Sequence, residues 1–80
     1  MTYKILSTEQ AGETLNVTAE YTFDDGTKQE IVVAIFAPDS IDYINLSLSN
    51  RGQSEQARIT RTQQVATIIP QVPIGQVVTI

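Results

Sequence analysis

Carboxylates crowd most closely at Asp24-Asp25-Gly26, and two aspartates before a glycine suggest a calcium loop. An EF-hand loop spreads its oxygen ligands over roughly twelve residues and closes on a bidentate glutamate. Here Thr27 and Lys28 follow directly, with alternating, strand-like sequence on both sides. An Asp-Gly pair in that setting reads as a hairpin turn. Glu9, Glu13 and Glu20 come next; two carboxylates in one cleft could share acid–base work. Their places at strand ends and on a polar face read instead as a solvated edge. Ser7, Ser40, Ser47, Ser49 and Ser54 have no histidine to activate them, and the remaining bases are Lys4 and Lys28. No nucleophile-elbow, phosphate-loop or dinucleotide motif occurs. The expectation is a non-enzymatic chain with no cofactor and no metal. Arg51, Glu55 and Arg58 are spaced to bind a partner's carboxylates or to pair with one another along a helix, and pairing is the usual outcome. Tyr3, Tyr21 and Tyr43 are too dispersed for a base-stacking platform and read as core or interface aromatics.

Composition narrows the classes further. A chain of 80 residues buries only about 60% of the surface its unfolded form exposes, so it relies on disulfides, a metal or a partner. With no cysteine and no histidine, association is the staple left, and a homo-oligomer is expected. The net charge is −4, and Lys4, Lys28, Arg51, Arg58 and Arg61 are spread out, which argues against phosphate-backbone contacts and so against nucleic acid. No apolar run approaches the roughly 20 residues of a membrane span, and no signal-peptide core opens the chain. A soluble protein made in a cytoplasm is expected.

The elements that must position these residues come in a simple order. Tyr3–Glu9 reads as a first strand and Gln10-Ala11-Gly12 as a turn. From Glu13 to Phe23, Leu15, Val17, Ala19, Tyr21 and Phe23 alternate with Asn16, Thr18, Glu20 and Thr22, the period of a half-buried strand. Lys28–Phe36 is apolar from Ile31 onward, as if both faces were covered. A two-residue Asp25-Gly26 loop would set Ala19 opposite Val32, Val17 opposite Ala34 and Leu15 opposite Phe36. That register puts Val32, Ala34 and Phe36 under a helix. It leaves Ile31, Val33 and Ile35, with Tyr3 and Ile5 if the first turn is equally tight, on a second apolar face expected to be covered by another chain or by this chain's own tail.

From Ser40 to Ile69 the residues Ile41, Ile44, Leu48, Gly52, Glu55, Ile59, Thr62, Ala66 and Ile69 fall on one helical stripe. A rival strand reading rests on the alternation of Ile44, Leu46 and Leu48 with Asn45, Ser47 and Ser49. Pro38 upstream and Asp39 or Ser40 as N-cap favour the helix. Gly52 and several β-branched residues leave a break near Asn50–Gly52 open. Such a helix is roughly 44 Å long, longer than the sheet is wide, so Ile59, Ala66 and Ile69 are expected to overhang. Pro70 ends it. The charge-free tail, with Val72, Pro73, Ile74, Val77, Val78 and Ile80, reads as an extended arm docking on its own sheet edge or on a neighbour's. The expected fold is α+β: a three-stranded antiparallel meander, one long helix and an extended C-terminal arm. Residues 1–69 form a single β-β-β-α domain and 70–80 the arm. Interface candidates are Tyr3, Ile5, Ile31, Val33, Ile35, Ile59, Ala66, Ile69, Val72, Ile74, Val77, Val78 and Ile80.

Several short motifs bear on function: Tyr3-Lys4-Ile5-Leu6-Ser7-Thr8, Tyr21-Thr22-Phe23, Ile31 to Phe36 ending in Ala37-Pro38, Asn50-Arg51, and Ser54-Glu55-Gln56-Ala57-Arg58. Through them most of residues 3–62 resembles small virion proteins of tailed bacteriophages. The resemblance implies a structural component, either a capsid decoration or cement subunit or a small head–tail, tail or baseplate piece. It also implies a location in the virion after assembly in a host cytoplasm. It carries over no functional residues, and the proline-containing tail falls outside it. The alternative is a free-standing protein-binding or inhibitor module using the helix as its recognition element.

Overall fold

The computed structural model describes all 80 residues. Strands β1 (Thr2–Ala11), β2 (Thr14–Thr22) and β3 (Lys28–Phe36) form an antiparallel sheet in the order β1-β2-β3. Helix α1 (Ile41–Ile68) follows, a 3₁₀ turn over Ile69–Gln71 ends it, and Val72–Ile80 form a tail that makes a turn at Ile74-Gly75 before its last five residues, not the uniformly extended arm expected. The α+β layout read from the sequence is the one observed.

Two local details set which residues face the helix, and each moves a strand by one residue. The β2–β3 loop has three residues rather than two. Phe23 N–H donates to Thr27 O and Gly26 N–H to Phe23 O, both at 2.9 Å, with Gly26 at φ +86°. This is a turn closed by a left-handed glycine. Asp25 serves it by accepting from Thr27 N–H (3.0 Å) and Thr27 Oγ1 (2.6 Å). The register is therefore Ala19 opposite Ile31, Val17 opposite Val33 and Leu15 opposite Ile35. Because side chains alternate, the slip exchanges the faces. Ile31, Val33 and Ile35 are buried in the chain's own core, while Val32 and Phe36 are 60% and 67% exposed.

The second detail is a β-bulge in β1 between Ile5 and Ser7. The β1–β2 hairpin itself is tight, with Ala11 opposite Thr14 and Gly12 at φ +62°. The extra residue at Leu6 then brings Ile5 opposite Ala19 and Tyr3 opposite Tyr21. Both thus lie on the helix side. Tyr3 packs against the core and Ile5 sits more exposed on the edge strand. The assignment of Tyr3, Ile5, Ile31, Val33 and Ile35 to a second, outward apolar face is therefore corrected. That face is mostly polar, with Val32, Ala34 and Phe36 of β3 and Ala11 at the end of β1 as apolar residues on it.

Helix α1 begins where Ser40 Oγ accepts from Tyr43 N–H at 3.1 Å, and it runs unbroken through Gly52. The glycine does not kink it. A Cβ there would lie 2.6 Å from Tyr21 Cε1 and 3.0 Å from Cδ1, so its missing side chain lets the helix backbone lie directly on the Tyr21 ring. Val17, Ala19, Tyr21, Phe23, Ile31, Val33, Ile35 and Leu48 make up the buried core, with Tyr3, Leu15, Ile44 and Ile59 packed on it. Ile59 therefore belongs to the docked part of the helix and not to the overhang.

Candidate functional site

Four polar contacts spaced along α1 fix how it lies on the sheet. Tyr3 OH donates to Asn45 Oδ1 (2.8 Å) and Tyr21 OH to Leu48 O (2.6 Å). Asp24 N–H donates to Gln56 Oε1 (2.9 Å) and Gln63 Nε2 to Asp25 Oδ2 (3.4 Å). The last two hold the hairpin tip, where Asp24 also takes the Met1 amine at 2.7 Å. Beyond Gln63 no hydrogen bond joins the helix to the sheet or its hairpin. Every residue from Arg61 to Ile80 is exposed.

This stretch is not a polar face. It carries eight large aliphatic side chains, from Val65 to Ile80, each at least half exposed, and after Arg61 no charge. Val65, Ile68, Ile69 and Val72 recur at the three- and four-residue steps of one helical face. Ala66 continues the sheet-facing stripe out past the sheet's end, and Ile74, Val77, Val78 and Ile80 follow on the tail. The whole molecule is correspondingly drawn out. Its radius of gyration is 18.5 Å and its longest extent 59 Å, against about 12 Å for a compact chain of this length. It exposes 6011 Å², where a compact monomer of its mass exposes about 4,800 Å².

The residues considered for chemistry do not converge. Glu9 sits opposite Asn16, and Glu20 lies between Lys4 and Glu30, so the carboxylates are dispersed along the outer face. Glu13 borders an open cleft of about 280 Å³ lined by Gln10, Gly12, Glu13, Thr14, Leu15, Ala37 and Pro38. Asp25 is held below the usual carboxylate range by its Thr27 hydrogen bonds, side chain first and backbone second. Glu55 accepts from Arg58 Nε (3.1 Å) and forms ion pairs with Arg58 Nη2 (3.0 Å) and Arg51 Nε (3.6 Å), so both arginines are paired within the helix. No helix is long and apolar enough to cross a membrane.

No family model, no curated protein and no solved structure matches this chain.

The sequence treated the tyrosines as scattered, and here the structure differs. Tyr3 and Tyr21 lie with ring centroids 5.7 Å apart, and Tyr21 and Phe23 stack at 6.1 Å. The register brings them together, and α1 covers Tyr21 and Phe23, so the row anchors the helix. Burial and the neighbouring Tyr3 phenol push the Tyr21 hydroxyl up from its ordinary value, and Arg51 partly offsets this. The signal that could have revealed this role is the pairing of Tyr21 with Gly52, a large ring and a residue without a side chain.

Proposed function

We propose that this chain is a structural, non-enzymatic subunit of a larger assembly of its own copies, docking through the overhanging end of α1 and the tail. The virion of a tailed bacteriophage is the setting we propose for it, as a capsid decoration or cement subunit or a small head–tail or tail component. One observation carries the assembly reading: twenty consecutive residues, Arg61 to Ile80, are exposed and lack charge after the first, yet bear eight large aliphatic side chains. Soluble monomers rarely present so continuous an apolar surface. The surplus of about 1,200 Å² over a compact monomer exceeds the roughly 800 Å² that each partner contributes to a standard interface. Ala66, Ile69, Val72, Ile74, Val77, Val78 and Ile80 remain the residues proposed to meet neighbours.

Sedimentation velocity on the full chain, from low to high micromolar, tests the reading. Association to a defined oligomer is expected, weakened by Ile69→Lys. A single monomeric species across the whole range would refute it.

A further inference from the structure

Edge strand β3 and the tail have matching properties. β3 turns its odd-numbered residues toward β2: Phe23 N–H donates to Thr27 O at one end of the ladder and Ala37 N–H to Glu13 O (2.7 Å) at the other. Antiparallel alternation then points the amides and carbonyls of Val32, Ala34 and Phe36 away from the sheet, where no strand of this chain meets them. Charges protect the strand only at its start, with Lys28 and Glu30. From Ile31 to Phe36 it has no charge, proline or bulge. The other edge is guarded differently, for β1 carries Lys4, Glu9 and the bulge at Leu6. Unguarded edges of the β3 kind are sites of strand addition.

Gln76-Val77-Val78-Thr79-Ile80 is uncharged and rich in β-branched residues, the composition of a strand. Here it has no regular secondary structure and is unpaired; only Gln76 N–H is bonded, to Pro73 O at 3.3 Å across a turn with Gly75 at φ +81°. That turn consumes Val72–Gly75. The five residues that follow span at most about 17 Å. The helix runs about 12 Å past the hairpin tip, from Gln63 at Asp25 to Gln71. A strand returning along it has only about 5 Å left on reaching the tip, short of Ile31. With the Val72–Gly75 turn in place, these five residues do not reach Ile31–Phe36 of the same chain.

We propose that Gln76–Ile80 of one copy adds as a fourth strand to the β3 edge, Ile31–Phe36, of a second copy. The partner is therefore this same chain, with donor tail and acceptor edge on different parts of each copy, so that reciprocal exchange closes a two-fold dimer and one-way exchange links copies into a ring or a filament. Val32, Ala34 and Phe36 supply the backbone partners. Alternate tail residues extend both the core face and the outer apolar row. The inference rests on the assembly reading above and specifies its contact.

Two full-length variants test it in sedimentation and amide exchange. Ala34→Pro removes an outward N–H while sparing the β2 ladder, a placement an edge tolerates. Val78→Lys lies outside the folded part and cannot disturb it. Both variants are expected to be monomeric where the parent chain associates. In the associated parent chain the Val32, Ala34 and Phe36 amides should exchange about tenfold more slowly at total concentrations about a hundred times the dissociation constant, where about a tenth of the edges are free, while the already bonded Ile31, Val33 and Ile35 amides barely change. If Val78→Lys still associates and Ala34→Pro does not, two β3 edges pair directly and the proposal is wrong. If both associate like the parent chain, strand addition is wrong although assembly stands. A parent chain that never associates would overturn both readings.

Discussion

Gly52→Ala isolates the contact on which the helix–sheet packing depends, because two opposing effects at this site are both large enough to measure. In an ordinary helix, alanine in place of glycine stabilises by about 0.8–1 kcal/mol. Here the new methyl would lie 2.6 Å from Tyr21 Cε1, against an ordinary contact of 3.4 Å or more. Met1 Sδ, 3.2 Å away, can move aside, but the Tyr21 ring is fully buried between Tyr3 and Phe23. The helix must rise by most of an ångström or the ring must turn. Overpacking of this kind costs about 1–3 kcal/mol. Lifting the helix also stretches the 2.6 Å bond from Tyr21 OH to Leu48 O, a loss of about 1 kcal/mol.

Against the helix gain, the net effect is a destabilisation of about 1–3 kcal/mol, or at least about 4 °C in Tm for a domain of this size. Urea and thermal melts followed by circular dichroism, all at one protein concentration because association couples to stability, provide the assay. In a Tyr21→Leu background the cost should vanish and the substitution become neutral or stabilising, so the pair must be strongly coupled in a double-mutant cycle. A Gly52→Ala chain that gains about 1 kcal/mol in the parent background would refute the close approach. The glycine would then be incidental to the fold.

Three further outcomes follow from single contacts. Ser40→Ala removes the oxygen that accepts from Tyr43 N–H and should lower stability by about 0.5–2 kcal/mol, read as a lower urea midpoint with unchanged slope. Tyr21→Phe deletes the buried hydroxyl bonded to Leu48 O and should cost about 1 kcal/mol at neutral pH. Because the folded-state Tyr21 pKa is raised, the parent chain holds that contribution below the unfolded value near 10 and loses it as pH climbs through the folded value. Alkaline melts of Tyr21→Phe should therefore show a weaker decline above about pH 10. For Asp25 the sign is opposite. Its depressed pKa gives a contribution present above the unfolded value near 3.9 and lost as pH falls through the folded one. Thr27→Ala should move the Asp25 carboxyl back toward its ordinary range in a carbon-detected NMR titration, and no movement would contradict the turn geometry.

Element order and type were legible in the sequence because each rests on a strong local signal. These are the alternation of Leu15 to Phe23, the Asp-Gly turn, and the Ser40 cap before a three- and four-residue stripe. Face assignment was not, because it turns on counting single residues. One residue more in the Asp24–Gly26 loop and one at Leu6 each invert a strand's two sides. An Asp-Gly pair serves two-residue and three-residue hairpins alike, and nothing around Leu6 announces a bulge. Gly52 was legible only as a weak helix residue, since its use depends on Tyr21, 31 positions earlier in the chain, arriving beneath it.

The correction to the faces changes what the case for a partner stands on. With Ile31, Val33 and Ile35 under α1, the sheet does not need a second layer on its outer side, and most of that side is polar. What is left uncovered is narrower and more directional: an outward row of backbone groups on β3, an apolar stripe beside it, and a charge-free end of the chain projecting the other way. A broad greasy face would accept almost any apolar surface. An open edge accepts only an extended strand in register, and Gln76–Ile80 is the segment proposed to supply it from a second copy. If that contact forms, donor and acceptor are built into every copy, which suits association of like subunits better than binding of a single foreign partner.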